Sequence, residues 1–130
     1  MWVFLDHAFL SIVAHRSKPN VLLVRARSQP DIGSLFPRVK VHETKAADYR
    51  FRAEISRQVV ADALAKAALN IDYDNFKASV HEPARHAAYL ACWDAMRAFQ
   101  DGEFIPAGQH RWRLVKTETT YGTDPKLIVD

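Results

Sequence analysis

Short apolar runs cut by polar breaks dominate the first half of this chain. Residues 2–5 (Trp-Val-Phe-Leu) form one run, Asp6-His7 interrupts it, and residues 8–14 (Ala-Phe-Leu-Ser-Ile-Val-Ala) resume it. The two-residue break fits a hairpin, although Asp-His lacks the glycine of a type I′ turn; one long bent strand is the other reading. Ser17-Lys-Pro-Asn20 is a turn. Residues 21–27 follow as a strand. Residues 29–37 read as a short helix opened by Pro30 and stopped by Pro37, with Ile32, Leu35 and Phe36 on one face. Residues 39–43 predict a short strand. In 49–55 apolar and polar residues alternate strictly, which puts Tyr49, Phe51, Ala53 and Ile55 inward and Arg50, Arg52 and Glu54 outward.

From there the period lengthens. Ser56 is a candidate N-cap for a helix over 57–69, whose apolar stripe is Val59, Val60, Ala63, Leu64, Ala67 and Ala68. Asn70 is suited to end it in a left-handed conformation. Residues 71–80 read as an irregular link anchored by Tyr73 and Phe76. A long helix runs over 83–100, capped at His81 or Glu82 with Pro83 in its first turn and stopped by Gly102. Its predicted buried face is Ala88, Cys92, Ala95, Met96 and Phe99. The order predicts an α+β fold: an antiparallel-rich sheet with two main helices on one face, containing a ferredoxin-like β-α-β-β-α element over 21–69. Residues 1–101 form the single core domain in this reading. Residues 102–130 are an extension, weakly packed or adding short edge strands at 111–116 and 127–129.

Composition narrows the class. The chain has 130 residues, 48% hydrophobic and 25% charged, as a globular domain with a real core requires. A net charge of +3 permits an anionic partner without demanding one. Cys92 is the lone cysteine, so no internal disulfide or CxxC site exists; among apolar neighbours it reads as a core thiol. The opening residues have neither a basic n-region nor an apolar run of membrane-spanning length, so the expected compartment is the cytoplasm, with no membrane partner.

Two runs carry arginines at alternate positions: Arg25 and Arg27 in the first, Arg50 and Arg52 in the second. Alternation puts each pair on one face of its strand, and strands in one sheet would present four guanidinium groups on its uncovered side. Such a face binds phosphate or carboxylate. The competing reading is a solvated surface whose arginines pair with Glu43 and Glu54, where ion pairs contribute little. Tyr49 and Phe51 have the wrong parity to sit beside Arg50 and Arg52, which weakens the case for base stacking.

A second candidate lies in 71–93. Arg85, Tyr89 and Trp93 recur every four residues on one helical face, and with Lys77, Asp72, Asn75 and His86 they read either as a polar-aromatic binding surface or as ion pairing that pins the link. His81-Glu-Pro-Ala-Arg-His86 misses the HExxH zinc pattern by one residue. Asp72, Asp74, Glu82 and His86 remain as candidate metal ligands, opposed by plain capping and surface roles. No GxSxG, P-loop or GxGxxG occurs, and no cofactor is expected.

The opening Met-Trp-Val-Phe-Leu-Asp-His-Ala-Phe-Leu-Ser-Ile-Val, then Leu-Leu-Val-Arg-Ala-Arg, Asp-Tyr-Arg-Phe-Arg-Ala, Ile-Asp-Tyr-Asp-Asn-Phe-Lys and Arg-His-Ala-Ala-Tyr together resemble a family of short uncharacterised proteins of bacteria and their phages, over residues 1 to about 100. The resemblance implies that setting and carries over no activity. The function expected is a non-enzymatic binding or regulatory protein whose partner is a host protein, a nucleoprotein complex or nucleic acid, with counter-defence as one such role. The alternatives are a small metal-dependent hydrolase or nuclease built on 72–86, and a structural homo-oligomer.

Overall fold

A computed structural model describes residues 1–106 and 112–114 of the chain. The described fold is α+β. Its main sheet is open and five-stranded, with β1 (Trp2–Phe4), β2 (Phe9–Ala14), β3 (Val21–Ala26), β4 (His42–Glu43) and β5 (Phe51–Ser56) in the order β1-β2-β3-β5-β4. Every neighbouring pair is antiparallel. The helices are α1 (Gln29–Leu35), α2 (Arg57–Leu69), α3 (Phe76–Ser79) and α4 (Pro83–Gln100). A separate two-stranded sheet pairs β6 (Phe104–Pro106) with β7 (Trp112–Leu114). The chain divides into two compact units, Met1–His81 and a second beginning at Glu82.

The hairpin reading of the N-terminal run holds: Phe4 pairs with Phe9, and the Leu5 amide donates to the Ala8 carbonyl at 2.8 Å. Among the described residues no side chain-bearing residue has positive φ, so the turn closes without the left-handed conformation of a type I′ turn.

Alternation sorts the first unit into two faces. Ile12, Val24 and Ala53 are in register across three strands, with Leu10, Ala26 and Ile55 on the same face. All six are buried against Ile32 of α1, Phe36 at its C-cap and Val60 of α2. The predicted face of α1 is the observed one. Asp31, also on α1 and only 3% exposed, accepts the Phe9 amide at 2.9 Å and ties this helix to the hairpin.

Several local expectations are corrected. Strand β5 begins at Phe51 rather than Tyr49, and β4 covers only His42–Glu43, since Val39 and Val41 pack against the core from the connection instead. Ser56 makes no side-chain cap bond. The first amide of α2 is taken by the Asn20 carbonyl at 2.8 Å, and the Arg57 guanidinium holds the Pro19 carbonyl, so a neighbouring turn does the capping. Asn70 has φ −94°, outside the left-handed region. Val59 and Ala68 of the predicted α2 stripe are exposed. The link contains α3, capped by Asn75, whose Oδ1 accepts the Ala78 amide.

In the second unit α4 has the predicted limits and ends on Gly102 at φ 71°. The Glu103 amide bonds the Ala98 carbonyl at 2.8 Å and the Gly102 amide bonds that of Phe99 at 3.1 Å, the paired closure that only an αL residue permits without strain. The buried stripe is a different one. Tyr89 and Ala98 are buried, whereas Ala88, Cys92, Met96 and Phe99 are exposed. Cys92 is therefore a surface thiol. Small apolar residues occur all round this alanine-rich helix, so periodicity alone does not select its inward side. Of the expected tail strands, 112–114 pairs with β6; 127–129 lies outside the described residues.

Asp31→Ala leaves the Phe9 amide without this acceptor in a buried setting and should cost about 1–3 kcal/mol. Urea denaturation measures it, and Asp31→Asn, which keeps an acceptor, should lose less.

Candidate functional site

The face of the sheet opposite α1 and α2 carries the basic residues. Arg25 of β3 stands directly opposite Arg52 of β5. Like charges in that position repel, and the surroundings show how they are held. Tyr49, just before β5, is 5% exposed and lies on the arginine side. The Arg25 and Arg27 guanidinium carbons are 4.7 and 4.5 Å from its ring centroid, within cation–π range. Arg52 Nε donates to the Tyr49 carbonyl at 3.2 Å and its Nη2 lies 3.3 Å from Asp48 Oδ1. Tyr49 falls outside the strand, so the parity that assigned it to the core does not apply.

Hydrogen bonding leaves this cluster rich in unspent donors. Arg25 Nη2 donates to Ser11 Oγ at 2.7 Å, and Arg27 Nη1 donates to the Asp48 carbonyl at 2.9 Å. A guanidinium has five N–H groups. Among the described residues neither Arg25 nor Arg27 meets a carboxylate, and the enclosed Arg25 Nε has no acceptor. Three guanidinium groups thus converge on Tyr49, two over its ring and the third on its carbonyl, with the Asp48 carboxylate beside Arg52.

Arg50 does not join them. Its Nε pairs with Glu43 at 2.7 Å and its guanidinium carbon is 5.7 Å from the Phe51 ring. Glu43 and Phe51 are in register, and Phe51 packs on the core side, so Arg50 is drawn toward the other face. The predicted group of four is a group of three. Glu54 stays on the arginine face with Arg52 but pairs elsewhere, with Lys18 at 2.8 Å and His15 at 2.9 Å.

That last pairing belongs to a Ser17-His15-Glu54 chain whose order matches a nucleophile, base and acid. Ser17 Oγ lies 3.4 Å from His15 Nδ1, and His15 Nε2 lies 2.9 Å from Glu54 Oε1. The backbone settles its role. The amides of Ser17 and Lys18 both donate to Nδ1 at 3.1 Å, so its lone pair is already engaged and the ring proton sits on Nε2, facing Glu54. The imidazole clasps the β2–β3 turn and has no base left to offer Ser17.

On α4, Arg85 and Tyr89 are drawn inward. Arg85 is 13% exposed in its side chain, donates to Glu82 at 3.1 Å and to the Tyr89 hydroxyl at 3.3 Å. Trp93 lies outward, 42% exposed, under the Arg97 guanidinium at 5.6 Å. The three residues are therefore not one open face. Lys77 is half-buried on α3, Asp72 and Asp74 are exposed in the link before it, and His86 is half-buried on α4. Among the described residues no three His, Cys, Asp or Glu side chains are grouped to hold a metal ion. The groove beside α1, lined by Gln29, Pro30, Gly33, Phe36, Pro37, Val39 and Val41, has no titratable group. No described helix is long and apolar enough to cross a membrane.

Sequence reasoning missed Tyr49 and Ser11 as members of the arginine cluster. Ser11 was recoverable, since the hairpin and its register put it beside Arg25; the departure of Tyr49 from strand geometry leaves no signal in an alternating run. No family model, no curated protein and no solved structure matches this chain.

Lys18, and after it His15, hold the Glu54 carboxyl below its ordinary value of 4.5. A depressed carboxyl stabilises the fold above its unfolded pKa and loses that contribution as pH falls through the lower folded value. Thermal melts of the wild type and Glu54→Gln should differ at neutral pH and converge in acid as the pH falls through the lowered folded pKa of Glu54. A gap that persists there assigns Glu54 a packing role instead.

Proposed function

We propose that this chain is a non-enzymatic binding or regulatory protein whose basic sheet face engages nucleic acid, free or within a nucleoprotein complex. The observation that carries this is the convergence of Arg25, Arg27 and Arg52 on Tyr49, with most guanidinium donors of Arg25 and Arg27 uncommitted. Phosphate oxygens are suited to take them, because a guanidinium offers paired N–H groups in a planar fork. Stacking on the ring and bonds to Ser11, Asp48 and Tyr49 hold the three side chains before a partner arrives, which lowers the entropy lost on binding.

In our reading β3-α1-β4-β5-α2 is a ferredoxin-like split unit, with β5 lying antiparallel between β3 and β4. In this arrangement the helices cover one face and leave the other to a ligand. A bacterial or phage setting follows from the resemblance of residues 1 to about 100. There, a small protein with such a surface acts by occupying a host nucleoprotein machine, and counter-defence is the role we assign.

Affinity for a labelled oligonucleotide, followed by fluorescence anisotropy, should fall steeply with salt as counterions are released. Arg27→Ala and Arg52→Ala should each flatten the log–log slope by about one. Binding that ignores salt and both substitutions removes this function.

A further inference from the structure

Strand registry extends the arginine cluster into a row across the whole sheet. Trp2 of β1 is opposite Ser11 of β2, Ser11 opposite Arg25 of β3, Arg25 opposite Arg52 of β5, and Arg52 opposite His42 of β4. Cross-strand partners share a face, so five side chains from five strands line up on the arginine side. With strands about 4.8 Å apart, the row is roughly 19 Å long, and Trp2 stands roughly 10 Å from Arg25.

The two ends of the row are open. Trp2 is 67% exposed, an unusual state for the largest apolar side chain, and His42 is exposed as well. The indole is nevertheless placed. Phe9 meets it edge to face at 6.1 Å between centroids, and Phe4 backs Phe9 at 4.8 Å. Between Trp2 and Arg25 stands only Ser11, short and fully buried, and its hydroxyl draws the Arg25 guanidinium toward β2. An aromatic plane and a cationic fork therefore stand on either side of Ser11 in the row.

We infer that this row binds single-stranded nucleic acid, with a base stacked on Trp2 and neighbouring phosphates on Arg25, Arg27 and Arg52. The inference rests on the nucleic-acid reading of the arginine cluster and names its substrate. Base stacking on an exposed aromatic beside a basic track is the chemistry of single-strand recognition. A duplex satisfies the arginines equally well but keeps its bases paired and stacked inside, out of reach of the indole. An acidic peptide also satisfies the arginines, and has no use for Trp2.

The test compares a labelled oligothymidylate of roughly ten nucleotides with a duplex of the same length, bound to wild type, Trp2→Ala, Trp2→Phe and Arg27→Ala. Trp2→Ala should weaken single-strand binding by about tenfold, leave duplex binding and the salt slope unchanged, and be largely rescued by Trp2→Phe. Arg27→Ala should weaken both and flatten the slope. Single-strand affinity that survives Trp2→Ala, or a duplex held as tightly as the single strand by the wild type, overturns the inference while leaving the arginine reading intact. Polyglutamate that displaces the oligonucleotide at equal charge overturns it in favour of an acidic protein partner. Failure of the wild type to bind either oligonucleotide removes both.

Discussion

The antiparallel registration of β3 with β5 is the constraint from which the first unit follows. It runs unbroken from Val21 opposite Ser56 to Ala26 opposite Phe51. One face of that ladder brings Leu22 to Ile55 and Val24 to Ala53, which with β2 form the floor on which α1 and α2 pack. The other face brings Arg25 to Arg52. Core and cationic surface are two sides of one pairing. A slip of one residue would turn every side chain over, burying guanidinium groups and exposing residues such as Val24 and Ile55, so the hydrophobic face holds the arginines in place.

Two like charges opposite one another work against that pairing. The structure offsets this locally, with a tyrosine ring presenting its negative face to Arg25 and Arg27 and with Asp48 beside Arg52. Ring contacts of this kind contribute about 0.5–2 kcal/mol, and exposed ion pairs under about 1 kcal/mol. The arrangement tolerates the charges more than it exploits them, and enclosing Arg25 Nε without an acceptor is a further cost. A domain selected for stability alone would place one neutral residue in this pair.

Much of the fold was legible because the strongest patterns are those that burial enforces. The alternation of Ala53 and Ile55, the Ile32 and Phe36 spacing, and the limits of α4 all read correctly from the chain. The errors fall where local choices compete. Ser56 has the right chemistry for a cap, yet its side chain makes no cap bond and the helix start is held instead by the Asn20 carbonyl on the Arg57 amide. The Arg25–Arg52 juxtaposition was foreseeable from parity; Arg50 was lost from it because a nearby glutamate on the other face offered a short pairing. The stripe of α4 was misread because alanine is nearly indifferent to burial. Tyr89 went inward, while Met96 and Phe99 stayed outside.

The clasp at the start of α2 bears on which parts of the chain evolution can lengthen. The segment between β2 and β3 looks like an ordinary surface connection, the sort that accepts extra residues at small entropic expense. Here its Asn20 and Pro19 carbonyls are the anchor for Arg57, while the His15 ring accepts the amides of Ser17 and Lys18. An insertion there would unhook a helix 38 positions downstream. Length variation among descendants of this sequence should therefore gather elsewhere, with this short loop kept at constant size.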